Sequence, residues 1–205
     1  MLQTPSRVEI VERMTSDEFL RFAPDEQKSE LIDGVIIVSP PGLDGHERLR
    51  IFLLHLIRSF VEAFDLGEVR GSRTAVSLDN DQVFEPDILF VTQDRLDIVQ
   101  ERGVFGPPDL VVEILSASTV AYDRGTKFQV YQQSGVQELW LIDPYGPTGT
   151  EFFQRDGRRL KPVMPQPDGV LASVALSGFK LNTAWLWPAE KFITVRNALR
   201  DMGVE

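Results

Sequence analysis

The chain has 205 residues, 42% of them hydrophobic, no cysteine, and a formal charge of −10 from 21 basic and 31 acidic side chains. These proportions predict one globular domain, and the lack of cysteine excludes disulfides, thiolate metal sites and cysteine nucleophiles. Because no apolar segment approaches the ~20 residues of a membrane span and no signal-peptide pattern is present, we expect a cytoplasmic protein. The acidic charge argues against broad adhesion to nucleic acid, but it leaves a local basic patch open.

The first third of the chain is predicted to form a short helix, a β-hairpin and a long helix. Thr15-Ser16 before two acidic residues is typical of a helix start, and this helix should end near Pro24. Strand-forming residues on both sides of Asp33-Gly34 predict a hairpin over residues 30–38. Over residues 46–65, apolar side chains recur at helical spacing around much of the circumference, which predicts a long helix packed on more than one side.

The middle of the chain is predicted to form strands around one further helix. Residues 68–78 and 82–91 are each expected to form a strand, and the apolar, β-branched run at 109–115 is typical of a central strand. A helix over about 122–133 and a strand over 138–143 complete a strand–helix–strand unit.

The last quarter is predicted to hold a hairpin turning at Asp156-Gly157, a strand at 170–176 and a closing helix from Pro188 to about Met202. Together these elements indicate the α/β class, with a mixed sheet flanked by helices.

Three acidic side chains are candidates for a metal site. Glu113 lies within the apolar run of the central strand, where a carboxylate is costly to bury unless a cation compensates it. Asp87 follows Pro86 at a similar strand position, and Glu30 begins the first hairpin. Converging carboxylates suit Mg²⁺ or Mn²⁺ better than Zn²⁺, and such a metal can activate water. The alternative is that Glu113 faces solvent at a sheet edge or pairs with an arginine.

Lys127 is a candidate for stabilising negative charge on a reacting phosphate. It shares one face of its predicted helix with Asp123 and Tyr131, by three- and four-residue spacing. Spacing alone favours a solvated surface pair between Asp123 and Lys127, which would contribute little to stability.

A set of segments, in this order, resembles the Uma2 family of restriction-endonuclease-like proteins in the PD-(D/E)XK nuclease superfamily. The segments are ELIDG at 30–34, SPP at 39–41 with His46, PDILF at 86–90, GPPDLVVEILS at 106–116, then Asp123, Lys127 and Tyr131, GV at 135–136, and ELWLIDP at 138–144. The resemblance implies a restriction-endonuclease-like core over about 15–145 within a single domain, 1–205, whose hairpin and helix extension covers about 146–205.

The resemblance also implies roles for individual residues. Asp87 matches the aspartate of the PD motif and Glu113 the acidic residue of the second motif, so both are expected to bind metal. Glu30 matches an acidic residue that completes the metal shell. The superfamily's usual lysine position is occupied by Leu115, and Lys127 matches the place on the following helix where this family carries its lysine.

The activity implied is Mg²⁺- or Mn²⁺-dependent hydrolysis of DNA phosphodiester bonds, leaving a 5′-phosphate, by an endonuclease expected to be a homodimer. His46, Tyr131 and Arg73 are candidates for contacts to substrate or to the metal ligands. Their alternatives are a capping histidine, a core tyrosine and a strand-edge charge.

Two other functions stay open at this point. The acidic charge and the missing lysine at Leu115 favour an accessory protein that keeps the nuclease fold without turnover. A metal-dependent hydrolase of a small phosphate ester is the third possibility, because fold alone does not decide function.

Overall fold

The computed structural model describes residues 13–22 and 27–204, which form two six-stranded sheets, a two-stranded sheet and flanking helices. The helices are α1 (Ser16–Phe22), α2 (Asp44–Phe64), α3 (Val120–Tyr122), α4 (Phe128–Ser134) and α5 (Val195–Asp201), and a π-helical turn, Asp123–Lys127, joins α3 to α4. The strands are β1 (Ser29–Ile32), β2 (Val35–Val38), β3 (Gly67–Gly71), β4 (Val76–Asp79), β5 (Gln82–Phe84), β6 (Ile88–Thr92), β7 (Val99–Gln100), β8 (Gly103–Phe105), β9 (Leu110–Ile114), β10 (Glu138–Ile142), β11 (Glu151–Asp156), β12 (Arg159–Val163), β13 (Val170–Ala172) and β14 (Lys180–Asn182).

The predicted α/β class is confirmed, but the strands divide between two large sheets. The N-terminal sheet has the order β2-β1-β5-β4-β8-β7, and the central sheet has the order β12-β11-β10-β9-β6-β3. In the central sheet β9 and β10 are parallel and are connected through α3 and α4, as the strand–helix–strand prediction requires. None of the helices in the described ranges is long and apolar enough to cross a membrane.

The side chains of β9 alternate between two hydrophobic cores. Val112 and Ile114 belong to the core beneath α2, whereas Val111 and Leu115 belong to the core on the opposite face of the sheet. Since successive residues of a strand face opposite sides, Glu113 lies on the same face as Val111 and Leu115. Glu113 therefore faces the α4 side of the central sheet, away from α2.

Helix α2 packs against β3 and β9 of the central sheet and also against α5, which agrees with the predicted packing on more than one side. Its buried residues all belong to the core beneath it: Leu49, Phe52, Leu53, Leu56, Ile57, Phe60 and Val61. Ile51, His55, Arg58 and Glu62 form an exposed stripe on the other side.

Two of the predicted strands are each split between the sheets. Residues 68–78 form β3 in the central sheet and β4 in the N-terminal sheet, and residues 82–91 form β5 in the N-terminal sheet and β6 in the central sheet. The second break lies at residues 85–87, around Pro86, which has no N–H to donate to a strand ladder. The crossing at Pro86 carries the chain from one sheet to the other directly before Asp87.

The ends of several elements also differ from the predictions. The closing helix begins at Val195 rather than at Pro188, because the Thr194 hydroxyl caps it by accepting a hydrogen bond from Asn197 N. Residues 188–194 are not helical, and Phe192 and Ile193 pack against the core beneath α2. The short strands β7, β8 and β14 were not predicted. Pro24, the predicted end of the first helix, lies outside the described residues.

The C-terminal segment is attached to the central sheet through the buried carboxylate of Glu138. Its Oε1 accepts a hydrogen bond from Trp140 Nε1 at 2.8 Å, and its Oε2 accepts from Ser173 Oγ at 2.6 Å. The backbone amides of Val174 and Ala175 also donate to Oε2, at 2.8 and 3.0 Å. These bonds satisfy a carboxylate that has no solvent exposure.

Replacing Glu138 with alanine is expected to lower the free energy of unfolding by about 3 kcal/mol, because the buried Trp140 indole N–H and three part-buried donors lose the acceptor that they have among the described residues. Urea denaturation of Glu138→Ala against Glu101→Ala, which changes an exposed glutamate, measures the difference. Equal stabilities of the two variants would contradict the attachment role.

Candidate active site

Asp87 and Glu113 lie side by side on neighbouring antiparallel strands. Ile88 of β6 is opposite Val112 of β9, and continuing this register by one residue places Asp87 opposite Glu113. The backbone amide of Ile114 donates a hydrogen bond to Asp87 Oδ2 at 2.8 Å. Both carboxylates line one cleft of about 960 Å³. The structure thus brings together the two acids from which the sequence predicted a metal site.

Glu30 reaches the same cleft from the N-terminal sheet, and Lys127 joins it to Glu113. The Lys127 Nζ atom lies 2.9 Å from Glu30 Oε1 and 2.7 Å from Glu113 Oε1. It also lies 3.2 Å from Asp123 Oδ1, within ion-pair range but without the geometry of a hydrogen bond. The Lys127 side chain is only 2% exposed, so the solvated surface pair with Asp123 that spacing favoured is wrong.

The π-helical turn between α3 and α4 places Asp123 and Lys127 at the cleft. A π turn contains one residue more than an α turn, and such turns are rare and concentrated at functional sites. Both Asp123 and Lys127 are buried in this turn, whereas Arg124 between them points outward to the Gly149 carbonyl and Glu151. The turn therefore directs one acid and one base of the helix to the carboxylates of the sheets.

Tyr131 supports Glu113 from below the cleft. Its hydroxyl donates a hydrogen bond to Glu113 Oε1 at 2.7 Å, and its ring meets Phe84 edge-on at 5.4 Å. The Tyr131 side chain is completely buried, which corrects the suggestion that it contacts a substrate. No residue that the structure describes donates a hydrogen bond to Glu113 Oε2, and the Glu113 side chain is 2% exposed.

Two basic side chains contact Asp87. One of them, His46, was predicted from the sequence as a candidate residue of the site, and the other was not. His46 Nε2 lies 3.2 Å from Asp87 Oδ2, and its Nδ1 lies 3.3 Å from Glu47 Oε1. The second is Lys28, whose Nζ lies 3.1 Å from Asp87 Oδ1. Lys28 directly precedes β1, two residues before Glu30, and strand alternation would have placed both side chains on one face.

The two central carboxylates have opposite pKa shifts. Burial raises the pKa of Glu113 to about 7, against the opposing effect of the Lys127 ammonium. Burial also opposes ionisation of Asp87, but Lys28, His46 and the Ile114 amide outweigh it and hold the pKa of Asp87 well below its usual value. Shifts in opposite directions within one cleft are typical of sites that perform acid–base or metal chemistry.

The rim of the cleft carries arginines and hydroxyls. Arg73 lies exposed in the loop between β3 and β4, and Arg50 projects from α2 and pairs with Glu47 at 2.7 Å. Arg70 does not line the cleft and pairs with Glu68 instead. The cleft is also lined by the hydroxyls of Ser116, Ser118 and Thr119, which follow β9. These groups can donate hydrogen bonds to an anionic ligand.

The described residues contain no ready-made cluster of three or more acidic or histidine side chains spaced for a metal ion. Lys127 and Lys28 lie against the carboxylates instead. By chemical type the donor set fits a hard divalent cation, because Asp87, Glu113 and Glu30 supply carboxylate oxygens to one cleft.

Comparison with known proteins identifies the family. Residues 16–184 match Uma2, whose description is "Putative restriction endonuclease". The chain belongs to the Uma2 family. It is 29% identical over 131 residues to an uncharacterized protein from Synechocystis, covering 63% of this chain and 68% of that protein. A second uncharacterized Synechocystis protein is 27% identical over 154 residues, covering 71% of this chain and 83% of that protein.

The fold has a solved counterpart. A crystal structure of a protein from Anabaena variabilis, described as a "putative nuclease belonging to DUF820", superposes with a TM-score of 0.65 at 20% identity. The match covers 92% of this chain and 99% of the other. The Uma2 chain therefore has the predicted nuclease-like α/β fold, and membership of the family supports a nuclease in general terms.

Replacing Lys127 with methionine is expected to lower the free energy of unfolding by about 3–5 kcal/mol at pH 8, because buried carboxylates lose their cation. The loss should be smaller at pH 5. A raised pKa of Glu113 means that folding takes up a proton, so its contribution to stability falls as pH rises from about 4.5 to about 7. Without Lys127 this pKa rises further, and the fall continues above pH 7.

Urea denaturation at pH 5 and pH 8 measures this dependence, with Lys161→Met as the control because Lys161 pairs with Asp156 at the surface. Equal losses for Lys127→Met at both pH values would show that Lys127 does not compensate Glu113.

Proposed function

We propose that this Uma2 protein is a metal-dependent endonuclease that hydrolyses phosphodiester bonds of DNA and leaves a 5′-phosphate. The observation that carries the proposal is the convergence of Asp87, Glu113, Glu30 and Lys127 in one cleft, from the two sheets and the π turn. Acids and a lysine from distant parts of the sequence, buried at a shared opening to solvent, are costly to maintain without a function.

Asp87, Glu113 and Glu30 are the residues that would hold Mg²⁺ or Mn²⁺. Their oxygens are the hard ligands that these ions prefer, and Asp87 is ionised over the whole physiological pH range because its pKa is lowered. A divalent cation held there supplies activation of water and neutralisation of charge on the phosphate. Tyr131 keeps Glu113 oriented through its hydrogen bond to Oε1.

Lys127 supplies the fixed positive charge of the site. Burial disfavours its ammonium form, but Glu113 and Glu30 outweigh burial and raise the pKa of Lys127 well above its usual value. It therefore remains an ammonium at neutral pH and can stabilise negative charge that develops on a phosphate. The usual lysine position is unavailable for this role, because Leu115 is buried in the hydrophobic core on that face.

The charges of the cleft support the proposal in spite of the net charge of −10. Among the residues that the structure describes, the cleft is lined by four lysines and arginines and by five aspartates and glutamates: Lys28, Arg50, Arg73, Lys127, Glu30, Glu47, Asp87, Glu113 and Asp123. It is thus nearly balanced, and one divalent cation would make it net positive. A local opening of this kind can receive a phosphodiester although the rest of the protein is acidic.

Cleavage assays test the proposal directly. Pure protein is incubated with plasmid and with single-stranded DNA, in Mg²⁺, in Mn²⁺ and in a chelator. We expect cleavage only with metal, and at least about a hundredfold loss in Asp87→Asn, Glu113→Gln and Lys127→Met, because each removes a metal ligand or the stabilising cation. Asp97→Asn, Glu101→Gln and Lys161→Met make the same chemical changes at exposed positions and should retain activity.

The outcomes separate the three functions. Cleavage by the unmodified protein that persists undiminished in all three site variants would rule out this site. DNA binding without cleavage, with equal affinity in all variants, would favour the accessory protein. Hydrolysis of small phosphate esters but not of DNA would favour the third function. The homodimer expected from the resemblance stays a prediction, which sedimentation of the pure protein measures.

A further inference from the structure

Lys28 is a basic residue of the cleft that the proposed reaction does not yet use. Its side chain is 22% exposed, and its ammonium contacts Asp87 Oδ1 at 3.1 Å. Lys28 is thus a cationic side chain in contact with a candidate metal ligand and with access to solvent.

The two oxygens of Asp87 are held in different ways. Oδ2 accepts a hydrogen bond from the backbone amide of Ile114, which is fixed in the central sheet, and it also faces His46. Oδ1 has Lys28 as its partner, at the end of a flexible four-carbon side chain. Of the two oxygens, Oδ1 is the one that a small movement of a side chain can expose.

Lys28 and Lys127 differ in freedom of movement. Lys127 is 2% exposed and lies within 3.2 Å of three carboxylates, so moving it would leave several buried charges uncompensated. Among the described residues, Lys28 is in contact with one carboxylate, and it lines the open cleft. Lys127 is thus a permanent part of the site, whereas Lys28 can be exchanged.

We propose that Lys28 and the divalent cation compete for Asp87, and that Lys28, once displaced, becomes a phosphate-contacting residue of the cleft. This inference rests on the proposed function. The Lys28 ammonium compensates the buried Asp87 carboxylate when no metal is bound, which keeps the folded protein stable in that state. With a metal held by Asp87, the three N–H donors of Lys28 would be available at the cleft that would admit the substrate.

Mn²⁺ binding to the metal-free protein, followed by titration calorimetry, tests the competition without any measurement of cleavage. Lys28→Met removes the charge and keeps the side-chain length, so it should bind Mn²⁺ at least about tenfold tighter, since one nearby positive charge is lost. Lys28→Arg should bind Mn²⁺ with nearly the affinity of the unmodified protein. Lys161→Met, which also separates a lysine from an aspartate but lies outside the cleft, should leave the affinity unchanged.

A second measurement uses the unmodified protein, so it holds even where Lys28→Met folds poorly. Lysine side chains are acetylated with a limiting reagent, and the modification of each lysine is followed by mass spectrometry. We expect Mn²⁺ to increase the modification rate of Lys28 and to leave that of Lys161 unchanged, because only Lys28 loses an ion pair.

The results distinguish this inference from the proposed function. If Mn²⁺ binds equally to the unmodified protein and to Lys28→Met, or if it does not expose Lys28 to acetylation, the competition is overturned while the metal-dependent nuclease stands. If neither the unmodified protein nor any variant binds Mn²⁺, both proposals fail. In cleavage assays, the displaced Lys28 predicts that Lys28→Met loses activity in spite of tighter metal binding.

Discussion

The structure depends on compensating the charge of carboxylates that are buried between the two sheets. Glu113 and Asp87 are 2% and 3% exposed, and an isolated carboxylate in such surroundings would cost several kcal/mol to ionise. Each therefore has a lysine within hydrogen-bonding distance, Lys127 for Glu113 and Lys28 for Asp87. The residue before the first hairpin and the π turn provide the two ammonium groups.

The arrangement of two sheets explains how residues so far apart in the sequence meet. The chain leaves the N-terminal sheet at Phe84 and enters the central sheet at Ile88, and the intervening Pro86 interrupts the strand ladder. Asp87 therefore lies at the junction of the sheets, beside Glu113 and close to the β1 segment that carries Lys28 and Glu30. A single continuous strand over 82–91 would have kept Asp87 within one sheet and away from that segment.

Much of the fold could be predicted from local patterns, because hairpins, the long helix and the strand–helix–strand unit each have a signal within about 30 residues. Asp33 and Gly34 both adopt the left-handed conformation that the Asp-Gly hairpin turn demands. The division into two sheets had no such signal, since it depends on which strands pair across the molecule. Short strands such as β7, which has two residues, also lack a recognisable sequence pattern, because two residues are too few to show alternation.

In the candidate site too, some features have a local signal in the sequence and others depend on contacts between distant segments. Glu113 could be singled out because a carboxylate in an apolar strand needs a partner, but the sequence did not say which cation supplies it. Spacing suggested a surface pair for Lys127, because an α-helical interpretation could not foresee the π turn that buries this residue. The two-residue spacing between Lys28 and Glu30 places both side chains on one face of a strand. This spacing alone does not indicate which carboxylate Lys28 contacts. The pairing of distant segments determines which buried charges contact each other. This pairing cannot be predicted from a single sequence.

The π turn also explains why a lysine can be absent from the usual position without loss of the site's positive charge. Leu115 lies two residues after Glu113 and faces the same side of the sheet, where it packs in a hydrophobic core that includes Tyr131. A lysine there would bury an ammonium among apolar groups. With Lys127 supplied from the helix above, the same core stays apolar and holds Tyr131 in place, and Tyr131 in turn holds Glu113. Hydrophobic packing and the orientation of Glu113 are thereby separated from the supply of positive charge to Glu113, which comes from Lys127 in the π turn.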